Sequence, residues 1–168
     1  MREALLQLES SGLISKLSKG GWIVTDHPPS KIRNLYEVRE ALEVMVIRLA
    51  CQRVTKEQLN KAKAAHKLAI DAVRNGEAEK FTRYNSEFHA HLFGACGNEQ
   101  LSSFIENLRD PYFDRRVVDL FTGKEWNAVI AQHGRMLKAV GEKKMRLAEK
   151  AVRDHINTGR RVAFLRLQ

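Results

Sequence analysis

The side chains best suited to chemistry are six histidines: His27, His66, His89, His91, His133 and His155. His27 abuts two prolines and is expected to face solvent. His66 lies in a Lys- and Ala-rich segment with little else polar beside it. The others carry more information. Phe81, Phe88, Leu92 and Ala95 form an apolar stripe at helical spacing. Asn85 and His89, one turn apart, fall together on one flank of that stripe, and His91 falls on the opposite flank. His133 shares a helical face with Ile130, Leu137 and Val140, and His155 shares one with Ala148, Ala151, Val152 and Ile156. Three histidines on three helices are therefore expected to point inward.

An inward imidazole needs a partner. A single buried histidine usually finds it in one hydrogen bond. Three of them on facing helices, with an amide one turn from His89, fit the way helical bundles gather metal ligands. Neutral imidazole suits Zn, Ni, Cu or Fe, and three such ligands leave coordination positions open. A metal with open positions can hydrolyse a substrate or hold a ligand. Hydrolysis needs a general base near the bound water. Glu87 is near in sequence, but helical spacing puts it on the outward side. The sequence has no HExxH, GxSxG or phosphate-loop pattern. Ligand binding therefore ranks above catalysis. A metal-dependent hydrolase on a helical bundle is the alternative, and a structural or dimerising domain with hydrogen-bonded core histidines is a third reading.

The elements that must position these groups are almost all helices. The sequence has 168 residues, 43% of them hydrophobic, which suffices for one well-cored domain with a small appendage. Residues 31–53 carry Ile32, Leu35, Leu42, Met45, Val46 and Leu49 as apolar positions. Thr55-Lys56-Glu57-Gln58 is a capping-box pattern opening a second helix, and Gly76 closes it. A third helix is expected over about 77–96 and a fourth over about 98–110, where Pro111 must kink or end it. Thr122-Gly123-Lys124-Glu125 opens another, and the last spans about 142–166. The expected architecture is all-α, an antiparallel bundle of six or seven helices.

The first residues read differently. Ala4, Leu5 and Leu8 have helical spacing, and Gly12 supplies a stop. Leu13–Leu17 and Trp22–Thr25 flank Ser18-Lys19-Gly20-Gly21, a β-hairpin signature. Asp26-His27-Pro28-Pro29 then reads as a stiff linker. The formal charge is +9, but residues 1–30 balance to zero and residues 31–134 hold sixteen basic and fourteen acidic groups. Residues 135–168 hold ten basic and three acidic groups, a surplus more typical of a solvated helix face than of a groove-binding stripe. No apolar run approaches a membrane span, no signal-peptide pattern opens the sequence, and Cys51 and Cys96 form no CxxC pair, so a reducing cytoplasm is expected.

Taken in order, several segments resemble a known family. Arg2-Glu3-Ala4-Leu5 with Leu8, Gly12-Leu13-Ile14 and Gly21-Trp22-Ile23-Val24 resemble the end of a GntR-type winged helix, a recognition helix followed by the wing. Leu35-Tyr36-Glu37-Val38-Arg39 with Leu42-Glu43 resembles the first helix of the ligand-binding domain in the FadR-like branch of that family. Phe88-His89, Gly97-Asn98 with Leu101, His133 and His155 continue the pattern, so that the resemblance covers essentially the whole chain. It implies a C-terminal remnant of a winged-helix domain over residues 1–27 and a helical effector-binding domain over 28–168. The implied function is a DNA-binding transcriptional regulator, not an enzyme, acting as a homodimer on operator DNA. Arg2 would be a DNA contact, in the setting of a complete winged helix, because the sequence starts at or inside the recognition helix. The resemblance also implies a metal site of Asn85, His89, His133 and His155, with Zn or Ni as the expected metal. Asn85 stands where Asp is common, so it is either a weak neutral ligand or an outer-shell group. Small organic acids are the implied effectors. A carboxylate could take the metal at one end and Arg39 at the other. The alternative for Arg39 is a surface salt bridge with Glu43, its i,i+4 neighbour.

Overall fold

The computed structural model describes residues 2–10, 14–24, 29–108 and 117–166. Its elements are α1 (Arg2–Ser10), β1 (Ile14–Lys16), β2 (Trp22–Val24), α2 (Pro29–Arg53), α3 (Lys56–Arg74), α4 (Ala78–Gly94), α5 (Glu99–Leu108), α6 (Gly123–Gly141) and α7 (Met145–Arg166). Gly12, Asp26 to Pro28 and Pro111, singled out in the sequence, lie outside the described residues. Pro29 does not extend the linker. It opens α2, where a missing N–H costs nothing and a fixed φ helps.

The hairpin forms as its turn residues require. β1 and β2 are antiparallel, with Ile14 opposite Val24 and Lys16 opposite Trp22. Gly20 and Gly21 take φ of 87° and 92°, which only glycine adopts without strain. Leu17 N donates to Gly21 O and Gly20 N to Leu17 O, each at 3.0 Å. α1 packs on β1, and among the described residues no element of this small unit packs on an element of the bundle.

The helix starts obey local chemistry as well. Thr55 N donates to Gln58 Oε1 at 3.0 Å and Gln58 N to Thr55 Oγ1 at 3.2 Å, a complete capping box. At the start of α6 the Glu125 carboxylate accepts the Thr122 N–H at 2.9 Å and also the Thr122 hydroxyl. α3 ends before Gly76, whose φ is 70°.

The helices form an all-α bundle. α3 lies along α4, and α7 packs on both α2 and α6; α3 also meets α6. The main core contains Ile47, Phe88, Leu92, Met136, Val152 and Ile156, and a smaller cluster gathers Phe81, Val118 and Val129. Ion pairs Arg48–Glu149 and Arg153–Glu40 tie α2 to α7 across the surface. The inner face of α2 differs from the expected one. Met45 is 47% exposed, while Tyr36, Arg39 and Glu43 are buried beside Ile32 and Ile47. No helix among the described residues is long and apolar enough to cross a membrane.

Candidate metal centre

His89 comes from α4, His133 from α6 and His155 from α7. Each is brought inward by buried apolar residues adjacent to it or one turn away: Phe88 and Leu92 around His89, Met136 and Leu137 after His133, Val152 and Ile156 around His155. His89 and His133 are 1% and 0% exposed. The ring centroids stand 5.0 Å apart for His89–His133, 5.0 Å for His89–His155 and 4.8 Å for His133–His155. One ring nitrogen from each lies within 4.8 Å of the others, the only such group of His, Cys, Asp or Glu among the described residues, with His89 and His133 buried and His155 half-buried. The His133 ring is also stacked on Phe88 at 4.1 Å and 21°, which restricts its rotation.

The register of α6 against α7 is held by polar contacts next to these histidines. Gln132 Nε2 donates to Thr158 Oγ1 at 2.8 Å and to the Asp154 carbonyl at 3.2 Å. Gln132 immediately precedes His133, and Asp154 immediately precedes His155. Sliding one helix past the other would break both bonds.

Asn85 lies one turn before His89, and its Oδ1 is inaccessible to solvent without a hydrogen-bond partner. An orphaned buried carbonyl oxygen is uncommon. Three imidazoles are a donor set suited to a borderline divalent ion such as Zn or Ni. By the chemistry of its donors and the spacing of its nitrogens, the group fits a transition metal.

A cavity of about 50 Å³ reaches the group at His155. Asn85 and His155 line it together with Tyr36, Arg39, Phe81, Val129 and Gly159. Gly159 allows the Tyr36 hydroxyl to come in, because a Cβ there would lie 3.1 Å from it. The Arg39 guanidinium carbon sits 5.3 Å from the centre of the Tyr36 ring. Arg39 Nε donates to Glu43 Oε1 at 3.1 Å. The side chains are 8% and 1% exposed, so the pair is interior rather than a surface salt bridge. Arg39 thus both pairs with Glu43 and borders the cavity.

The remaining residues of interest fall elsewhere. Glu87 is exposed and faces Arg83 at 3.7 Å, so it offers no base to the cavity. Arg2 is exposed on α1. His91 is half-buried and outside the histidine group. His66 was underrated by its sequence surroundings. Its ring lies 5.9 Å from His133 and 5.9 Å from Phe88, and burial pushes its imidazole below the ordinary range. The small face of Ala62, Ala65 and Ala69 was the available signal that α3 approaches its neighbours closely.

Residues 34–158 match the FCD domain family. The chain is 24% identical over 158 residues to the uncharacterized HTH-type transcriptional regulator YdhC of Bacillus subtilis, covering 94% of this chain and 70% of that protein. It is 27% identical over 121 residues to the Nta operon transcriptional regulator of Aminobacter aminovorans, covering 71% of this chain and 56% of that protein. Among solved structures, E. coli McbR/YncC superposes with a TM-score of 0.81 at 19% identity, over 94% of this chain and 79% of that one. Streptococcus agalactiae GntR superposes with a TM-score of 0.67 at 22% identity, over 95% and 79%. At these identities the structural likeness speaks for the fold.

Proposed function

The chain belongs to the FCD family of GntR-type transcriptional regulators, which are not enzymes, and we propose that its helical domain senses a small organic acid through a bound transition metal. The observation that supports this reading is the meeting of His89, His133 and His155 beside a cavity that Asn85 and Arg39 also border. A bound Zn or Ni would supply an electrophilic anchor for a carboxylate. His89, His133 and His155 would hold it, and Asn85 would be the weaker fourth ligand or an outer-shell acceptor. Arg39 would bind the far carboxylate of the acid, while Phe81 and Val129 exclude water from the space between.

Coupling to DNA runs through α2 in this reading. Arg39 sits on α2, ten residues into a helix that begins at Pro29, directly after the segment that follows the hairpin. We assign residues 1–27 to a winged-helix DNA-binding domain and 28–168 to the effector domain. The absence of packing between their described elements supports that division. Arg2, exposed on α1, is the proposed DNA contact. A homodimer on two operator half-sites is the proposed assembly, with the cytoplasm as its place of action. Effector binding and DNA binding would then be reciprocally coupled, typically by ~1–3 kcal/mol.

The test uses zinc-loaded protein and a panel of two- to four-carbon carboxylates in thermal unfolding. At least one acid should raise the melting temperature, and chelation or Arg39→Lys should abolish that rise. Lys keeps a charge opposite Glu43 but lacks the planar fork. If the rise survives chelation, the acid does not bind through the metal.

A further inference from the structure

His66 is the strongest feature that the three-histidine group leaves unexplained. It reaches from α3 toward α6, and its ring meets that of His133 edge-on, at 5.9 Å and 68°. Its Nδ1 is inaccessible to solvent and has no hydrogen-bond partner. Its Nε2 lies on the side of Gly134, 3.7 Å from where a Cβ would project. Buried polar atoms in native proteins are nearly always satisfied, so an orphaned imidazole nitrogen asks for a donor.

His133 is placed to be that donor. Its ring is stacked on Phe88 at 4.1 Å, so one face is engaged in packing and the ring is held with its edge toward α3 only within narrow limits of rotation. Its ring centre lies 5.0 Å from that of His89 and 4.8 Å from that of His155. A histidine that gives one nitrogen to a metal carries a proton on the other and holds its orientation by donating it. We propose that His66 is a positioning residue for the metal centre, accepting on Nδ1 the N–H of His133 that faces away from His89 and His155. With its own proton on Nε2, beside Gly134, His66 selects the His133 tautomer that aims a lone pair at the metal. α3 thereby takes part in the site without supplying a ligand. This rests on the metal reading above.

The experiment is a zinc titration of the full chain against a chromophoric competitor, comparing wild type, His66→Leu, His66→Phe, His66→Gln and His133→Ala. Thermal unfolding of each metal-free form checks the fold. Leu and Phe differ in shape and both lack an acceptor, so either one suffices if the other does not fold. Both should bind one zinc with about 10–100-fold weaker affinity. His66→Gln, whose amide oxygen accepts a hydrogen bond, should recover most of that loss, which a purely steric role would not produce. Unchanged affinity in folded His66→Leu or His66→Phe overturns the proposal. Loss of binding as complete as in His133→Ala also overturns it, because His66 would then be a direct ligand. A wild type that binds no zinc defeats the metal reading itself, a different outcome from variants that bind as well as wild type.

Discussion

Arg39 Nε lies 3.1 Å from Glu43 Oε1, and the bundle encloses both side chains. On an exposed helix surface such an i,i+4 pair would contribute only a few tenths of a kcal/mol. Enclosed, each charge depends on the other. Glu43→Leu or Arg39→Met should each destabilise the metal-free protein by about 3–5 kcal/mol. The double replacement Arg39→Met with Glu43→Leu should recover most of that loss. Urea unfolding of the four proteins measures the coupling; losses that simply add would mean that the pair contributes nothing as a pair.

The same pair marks where sequence reading stops. Periodicity counts polar residues as outward, so an i,i+4 Arg–Glu pair reads as a surface bridge, and Met45 reads as core. The packing of α2 against its neighbours, α7 foremost, decides that Arg39 and Glu43 are inside and Met45 is out. The inward histidines were legible because each shares its face with apolar residues at helical spacing, as His155 does with Val152 and Ile156. The capping boxes at Thr55 and Thr122 and the hairpin at Gly20-Gly21 were legible for a similar reason: local chemistry determines them. His66 was not, since Lys63 and Lys67 flank it on exposed positions and its contact with His133 is made between helices.

The start of α6 should make stability sensitive to acid. The Thr122 hydroxyl and N–H, and then the charge of Arg166 at 3.4 Å, hold the Glu125 carboxyl below its ordinary value of 4.5. A carboxyl whose folded pKa is lowered adds stability in full above its unfolded pKa. That contribution is lost as the pH falls through the folded value. Glu125→Gln should therefore lower stability at neutral pH and flatten its decline below about pH 4.5. Thr122→Ala should cost about 1 kcal/mol through the lost cap. Denaturant unfolding at neutral and acid pH checks both, and an unaltered acid limb in Glu125→Gln would contradict them.

Cys51 and Cys96 are both free and buried, and burial pushes the Cys51 thiol up. A raised pKa and low exposure leave little thiolate to react. A disulfide reagent should label neither thiol rapidly in the native protein and both after denaturation. Fast labelling of Cys51 in the folded state would mean that α2 opens locally far more often than its core position allows.

Whether His89, His133 and His155 hold a metal is tested most directly by metal content. Protein purified without chelator, or stripped and reloaded with zinc or nickel, should carry about one transition metal per chain and unfold at a higher temperature than the stripped form. His133→Ala and His155→Ala should each lose the metal, and Asn85→Ala should weaken it less, since a neutral amide binds less strongly than an imidazole. A chain that stays metal-free after zinc and nickel addition, with an unchanged melting temperature, would contradict the account.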